Sequence, residues 1–287
     1  MPSPAPARQL LVINPNTSDS VTALLQHHVQ DAVQASQQGD AAAVPAAQAV
    51  PAVPAVEVRC VTARLGAAYI SSEASYAIAC HAALDAWAAA MAPSASAAAP
   101  VPAPALEPPW RPDAVLIGCF GDPGLLALRE LSPVPVSGLA EASFIQAARH
   151  GRFGVVTGGE RWKPMLARLA QVLGCEALAG IDTVPLTGAQ LAADPQRAHA
   201  VLAAACADMA RRLDVQAIVL GGAALAGMAA RIQAEVGVPL IDSVAAGAAH
   251  VLALPALPSL ASSAMGAGGV SWRNLSPELQ AALAGAC

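Results

Sequence analysis

Cys119 lies in the stretch AVLIGCFGDPGL (114–125), where a run of small apolar residues stops at a turn of Cys, Phe, Gly, Asp, Pro and Gly. An unbroken apolar run suits a strand buried on both faces, so the thiol is expected at a strand's C-terminal end, where open α/β sheets bind ligands. Asp122 followed by Pro123 has the chemistry of a helix start, which predicts a helix beginning there with its free N–H groups near the sulfur. Such a terminus favours a thiolate and the Asp122 carboxylate opposes it, so the sequence leaves open whether this cysteine is an acid–base group or a packed, inert one. Three more turns place small hydrogen-bonding groups or glycines at predicted strand ends: Asn14, Asn16, Thr17 and Ser18; Thr157, Gly158 and Gly159; and Gly222 with Ala223. Other polar residues read more plainly. Asp242 is expected to cap a helix near 244, His81 and His250 to pack on helical stretches, and Glu160 to sit in a helix's first turn, while Arg161 would meet an anion only by turning inward.

Positioning these turns takes a regular alternation of elements. Strands are expected at 10–13, 56–63, 114–118, 134–136, 153–157, 182–186, 217–220 and 239–241, and helices near 20–33, 71–91, 141–150, 160–173, 189–213, 226–236 and 244–254. Alternation of this kind predicts an α/β fold with parallel sheets and helices on both faces. Two Ala/Pro-rich stretches, 34–55 and 92–112, read as surface insertions outside the core. The halves also repeat: 114–119 aligns with 217–222 at an offset of 103 residues, and 10–15 with 153–158 at an offset of 143. Residues 134–136 align with 238–240 in the same way. Two pseudo-symmetric domains follow, each with a four-stranded parallel sheet: 1–140 plus 245–287, and 141–244. Their strand ends are expected to face an interdomain cleft, with Cys119 on one side and Gly222 on the other.

Composition narrows the function classes. Of 287 residues 55% are hydrophobic and only 12% charged, the net charge is -5, and Lys and Arg form no cluster, so nucleic acid is not an expected partner. Six cysteines are scattered without C-x-x-C spacing, and no His pair stands at metal-ligand intervals; reduced thiols and no metal are expected. The N-terminal apolar run is too short for a signal peptide, which predicts a cytoplasmic protein. Residues 243–272 carry no Asp, Glu, Lys or Arg, but Pro255 and Pro258 interrupt them, which predicts a buried helix and a loop and no membrane span.

The chain resembles the aspartate/glutamate racemase superfamily and, within it, the hydantoin and allantoin racemases. The residues that carry the resemblance are INPNTS at 13–18, YIS at 69–71, CFGDPGL at 119–125, the 153–157 strand, and LGG at 220–222 with AGM behind it at 226–228. The resemblance implies a cofactor-independent racemase or epimerase of a small chiral hydantoin, allantoin or amino acid, in a family where homo-oligomers are common. Two cysteines on opposite walls would work as a pair, one thiolate removing the proton at the stereocentre and the other thiol returning one to the opposite face. Cys119 matches the first of them and is the implied catalytic residue, with Asn14, Asn16, Thr17, Phe120, Gly121, Thr157, Gly158, Gly222 and Ala223 around the substrate. Gly222 stands where the second cysteine is expected, and the internal repeat pairs the same two positions. Cys60, Cys80, Cys175, Cys206 and Cys287 fall in a strand, on helices, after a helix end or at the last residue, and none replaces it. Three chemistries stay open: racemisation by Cys119 with another partner; a one-cysteine lyase or isomerase, as arylmalonate decarboxylase in this superfamily uses one thiol to protonate a carbanion; and binding of a small carboxylate or imide without turnover.

Overall fold

Runs of Val, Ile and Leu bounded by turn residues become the strands of a computed structural model that describes residues 7–42, 55–92, 110–257 and 271–284. The first half is built from β1 (Arg8–Asn14), α1 (Asp19–Ala42), β2 (Val56–Thr62), α2 (Glu73–Met91), β3 (Ala114–Ile117), α3 (Leu125–Leu131) and β4 (Val136–Gly138). The chain continues through α4 (Leu139–Ala148), β5 (Phe153–Gly158), α5 (Trp162–Val172), β6 (Leu178–Val184), α6 (Gly188–Ala193), α7 (Pro195–Leu213), β7 (Ala217–Gly221), α8 (Met228–Ile232), β8 (Leu240–Asp242), α9 (Ser243–Ala253) and α10 (Pro277–Leu283).

Both sheets are four-stranded and parallel, in the orders β2-β1-β3-β4 and β6-β5-β7-β8, so the repeat seen in sequence is a repeat of topology. Register repeats as well. Leu10 faces Ala114 in one sheet and Phe153 faces Ala217 in the other, and these are the residues that the internal alignment equates.

Side chains alternate across each sheet, which divides the core into three layers. Leu10, Val12 and Leu116 join Phe153, Val155 and Val219 in a single cluster that runs through both halves. Phe120, Phe144 and Phe153 link the halves through ring contacts at 6.1 and 5.7 Å. Leu11, Ile13, Val115 and Ile117 point the other way, onto Trp87 of α2 and Leu128 of α3. Val156, Ile218 and Leu220 face Leu202 and Met209 of α7. Each such side chain contributes roughly 1.5–3 kcal/mol by leaving water. After the second sheet the chain returns: α9 packs on α1, α4 and β3, and α10 on α2.

Several elements differ from expectation for identifiable reasons. Helix α1 runs on to Ala42, so the first Ala/Pro-rich stretch begins as exposed helix; 43–54, 93–109 and Cys287 lie outside the described residues. The helix expected over 189–213 breaks in two because the Asp194 side chain accepts Arg197 N–H and Pro195 opens α7. The strand expected at 182–186 runs earlier, over Leu178–Val184, and the helix expected at 226–236 shrinks to α8 between two 3-10 turns. Helix α10 was not anticipated, although Ser276 and Pro277 form its N-cap and first turn.

The largest correction concerns Asp122. Helix α3 starts only at Leu125, entered through Gly124 with φ 84°, so Asp122 is not its cap. Asp122 itself adopts φ 50° and turns its carboxylate inward, where the oxygens accept the N–H groups of Ala140 at 2.9 Å and Glu141 at 2.8 Å. It therefore caps α4, a helix that begins 17 residues later and has no capping side chain of its own at Gly138. Gly138 leaves the space for this clasp: a Cβ there would stand 2.1 Å from Asp122 Cγ. Gly138→Ala is accordingly expected to lose about 2–4 kcal/mol of stability from the clash and the disrupted cap, measured by urea unfolding. A loss below about 0.5 kcal/mol would show that the clasp is dispensable.

Candidate active site

The carboxyl ends of β1, β3, β5 and β7 open into one cleft of about 520 Å³. Asn16, Ser18, Tyr69, Cys119 and Phe120 line it from the first half, and Thr157, Gly158, Trp162, Gly222 and Ala223 from the second. Seven of the expected site residues thus meet: Asn16, Cys119, Phe120, Thr157, Gly158, Gly222 and Ala223.

Asn14, Thr17 and Gly121 do not line the cleft; they hold up its walls. Asn14 is fully buried, and its amide donates to Asn16 Oδ1 at 3.0 Å, Ser18 O at 3.0 Å and Thr22 Oγ1 at 2.9 Å. Thr17 N–H donates to Ala67 O, tying this turn to the loop that follows β2. Gly121 O accepts the Tyr76 hydroxyl at 2.8 Å, which braces the Cys119 turn from α2. Asn16 Oδ1 is taken by Asn14 and by Ser18 N–H at 2.9 Å, and no described residue takes its Nδ2. That amide N–H is left for a ligand.

On the second wall Thr157 Oγ1 donates to Gly221 O at 2.6 Å, and Gly222 N–H to Ser243 Oγ at 3.1 Å. Phe120 crosses from the first half onto Gly221, where a Cβ would come within 2.1 Å of its ring. Gly222 has the opposite surroundings. A Cβ there would meet nothing nearer than Leu225 at 3.6 Å, but its φ of 138° is a conformation that L side chains rarely adopt. Space for a second cysteine exists; the backbone does not suit one.

Tyr69 and Trp162 line the cleft without having been singled out as site residues. Tyr69 follows β2 in a stretch with no periodicity, and its approach to Trp162 is tertiary. Among the polar residues read more plainly, Asp242 caps α9 by accepting Val244 and Ala245 N–H, and also takes Gly227 N–H. His81 is packed in α2 with Nε2 buried, and burial holds the pKa of His250 down. Glu160 and Arg161 are exposed and outside the lining.

The electrostatics of the cleft are unusual in one respect: among the described residues no Asp, Glu, Lys, Arg or His lines it. Cys119 is half-buried, and its thiol is pushed well above the ordinary range, first by burial, then by the Asp122 charge, then by Cys80. Burial and the Asp122 charge act together to favour the thiol over the thiolate. Burial also lifts the Asp122 pKa to about 7, against the pull of the amides of Ala140, Glu141 and Gly121. The Tyr69 phenol is raised by burial too, while Trp162 and the Gly188 backbone act the other way. Among the described residues no group of three or more His, Cys, Asp or Glu is placed to hold a metal, and no helix is long and apolar enough to cross a membrane.

Two parallel sheets of one topology, repeated in register and sharing a cleft at their carboxyl ends, define a pseudo-symmetric α/β protein of the Asp/Glu racemase fold. The chain belongs to the Asp/Glu/hydantoin racemase family, whose match covers residues 10–251. It is 35% identical over 115 residues to a hydantoin racemase of Pseudomonas sp. (strain NS671), covering 39% of this chain and 46% of that one. It is 38% identical over 120 residues to a hydantoin racemase of Rhizobium meliloti, covering 39% and 48%. The chain thus spans about half the length of the curated relatives it matches. Among solved structures, allantoin racemase from Klebsiella pneumoniae superposes with a TM-score of 0.68 at 27% identity, over 86% of each chain. Allantoin racemase from Pseudomonas fluorescens superposes with the same TM-score of 0.68 at 23% identity, over 85% of this chain and 89% of that one.

The charge around the sulfur makes a testable statement. Alkylation of Cys119 by iodoacetamide, followed by mass spectrometry of its peptide, is expected to be slow at neutral pH and to rise about tenfold per pH unit well into the alkaline range. Asp122→Asn removes the nearest negative charge and should shift that profile to lower pH. An unshifted profile would show that burial alone governs the thiol.

Proposed function

We propose that the protein is a racemase or epimerase of small uncharged cyclic ureides, hydantoins with an apolar C5 substituent foremost, working through Cys119 and without a cofactor. The observation that carries this reading is a cleft with a single thiol in walls that, among the described residues, hold no charged side chain. A free amino acid, a malonate or another carboxylate would enter such a cleft without a cation to pair it, at a cost of several kcal/mol. A hydantoin ring instead offers carbonyl and N–H groups that the Asn16 amide and the Ser18 hydroxyl can satisfy. Its substituent would lie against Val21, Leu24, Ile70 and Leu225, which also line the cleft. Hydantoin and allantoin racemases among the relatives support the ring; the apolar lining favours an alkyl or aryl group over the polar ureido arm of allantoin.

The two lobes are read as 1–140 with 245–287, and 141–244, a division supported by the packing of α9 on α1 and of α10 on α2. The catalytic assignment follows from position. Removing the C5 proton, next to a ring carbonyl, leaves an enolate whose oxygen the Asn16 Nδ2–H can hold, its orientation already set by Asn14 and Ser18. Cys119 exchanges the C5 proton on its own face. As a base it must first lose a proton, which burial and Asp122 oppose, so the thiolate fraction at neutral pH is small and grows as pH rises.

Incubating each pure enantiomer of 5-benzylhydantoin in deuterated water should show inversion with deuterium entering at C5. Cys119→Ala should lower the catalysed rate roughly 10²–10⁴-fold. After subtraction of the uncatalysed reaction, kcat/KM should climb about tenfold per unit between about pH 6 and about pH 8, the range below the thiol's pKa. Aspartate, glutamate and phenylmalonate should be left unchanged. Turnover of these acids ahead of the hydantoin, or full activity in Cys119→Ala, would overturn the reading.

A further inference from the structure

We propose that the Tyr69 hydroxyl is the second proton carrier of this cleft, delivering and removing protons on the substrate face opposite Cys119. The inference rests on the racemase reading above. Inversion requires a proton to leave one face of the stereocentre and another to arrive on the other face, so one thiol cannot complete it alone. Position 222, where a second thiol is expected, holds glycine in a backbone conformation unsuited to one. Among the described residues lining the cleft, only Cys119 and Tyr69 carry side chains that titrate; the rest offer amide, alcohol or indole groups that keep their protons in water.

Placement agrees with the role. Tyr69 belongs to the first half, on the loop between β2 and α2, but its hydroxyl reaches the second half. There it lies near Trp162, at the start of α5, and the backbone of Gly188, at the start of α6, both of which act to lower its pKa against the effect of burial. The contact with that wall is close, since a Cβ on Gly159 would stand 2.7 Å from the hydroxyl oxygen. The oxygen therefore lies against the wall at the end of β5, while Cys119 stands at the end of β3 in the same cleft. No described residue accepts the hydroxyl hydrogen, so the phenolic proton is free to point at a ligand. Both neighbours would favour the phenolate left after transfer. A negative charge on Cys119 acts on this phenol, so the two groups respond to each other's ionisation.

The step balances with one negative charge shared by the pair. In one direction the Cys119 thiolate takes the C5 proton, forming S–H as C–H breaks and its electron pair passes into the enolate. That pair then forms a new C–H bond with the Tyr69 proton, leaving thiol and phenolate. From the other enantiomer the phenolate takes the proton and the thiol gives one back. Exchange with water restores either starting state, and no outside oxidant or co-reactant is needed.

Tyr69→Phe keeps the ring and removes the transferable proton. In deuterated water the variant is expected to invert 5-benzylhydantoin at least about 100-fold more slowly in both directions. One enantiomer, the one whose C5–H faces Cys119, should still acquire deuterium with retention of configuration. Inversion at the wild-type rate would overturn the assignment. Equal loss of exchange from both enantiomers, with the unfolding temperature unchanged, would also overturn it, because a residue that only shapes the cleft has no preferred face. A wild type inert toward both enantiomers would instead overturn the racemase reading itself, a result distinct from either of these.

Discussion

A buried carboxylate clasping the start of a helix it does not belong to is the contact on which the site depends. Asp122 leaves the Cys119 turn in a left-handed conformation and accepts two N–H groups of α4, thereby tying the end of β3 to the helix that follows β4. Unsatisfied donors at a buried helix end cost on the order of 1–3 kcal/mol each, so the clasp stabilises α4 and the turn together. It also acts on the sulfur. Burial does most to raise the thiol's pKa, and the Asp122 carboxylate, where ionised, adds to it.

Duplication provides the cleft and also limits it. Two sheets of one topology place equivalent strand ends face to face, so whatever stands at the end of β3 has a counterpart at the end of β7. The halves do not simply enclose a space: one apolar cluster runs through both, and the Phe120 ring lies on Gly221 across the seam. Packing of that kind resists the shear of one half against the other, which keeps groups on opposite walls at fixed separation. The symmetry is broken at the strand ends that line the cleft, with a thiol after β3 and a glycine after β7.

Charge is kept out of the cleft and placed around it. Asp85 pairs with Arg64, Glu141 with Arg129 and Glu73 with Arg168, all away from the lining. An uncharged, mostly apolar lining strengthens each hydrogen bond to a ligand and penalises an unpaired carboxylate. Such a lining favours an uncharged ligand over an unpaired carboxylate.

Much of this was legible in the chain. Apolar runs at 10–13, 114–118, 153–157 and 217–220 end in turns, and their pairing at offsets of 143 and 103 residues already stated the duplication, because a buried parallel strand needs a continuous apolar run whatever surrounds it. The family resemblance was carried by the same segments, CFGDPGL above all. Cys119, Asn16, Thr157 and Gly222 could be placed at strand ends for that reason. The chain alone misjudged Asp122, because a cap is recognised by its neighbours in sequence while this one serves a helix 17 residues away. It passed over Tyr69 and Trp162 as cleft-lining residues, because they come from different halves of the chain and meet only in the folded protein. Local pattern determined the strands, the repeat and the position of the thiol, since those depend on periodicity and turn chemistry. Only the tertiary structure decided how deeply that thiol is desolvated, which charges lie near it and that the cleft lining carries none, since desolvation and through-space charge depend on residues far apart in the chain.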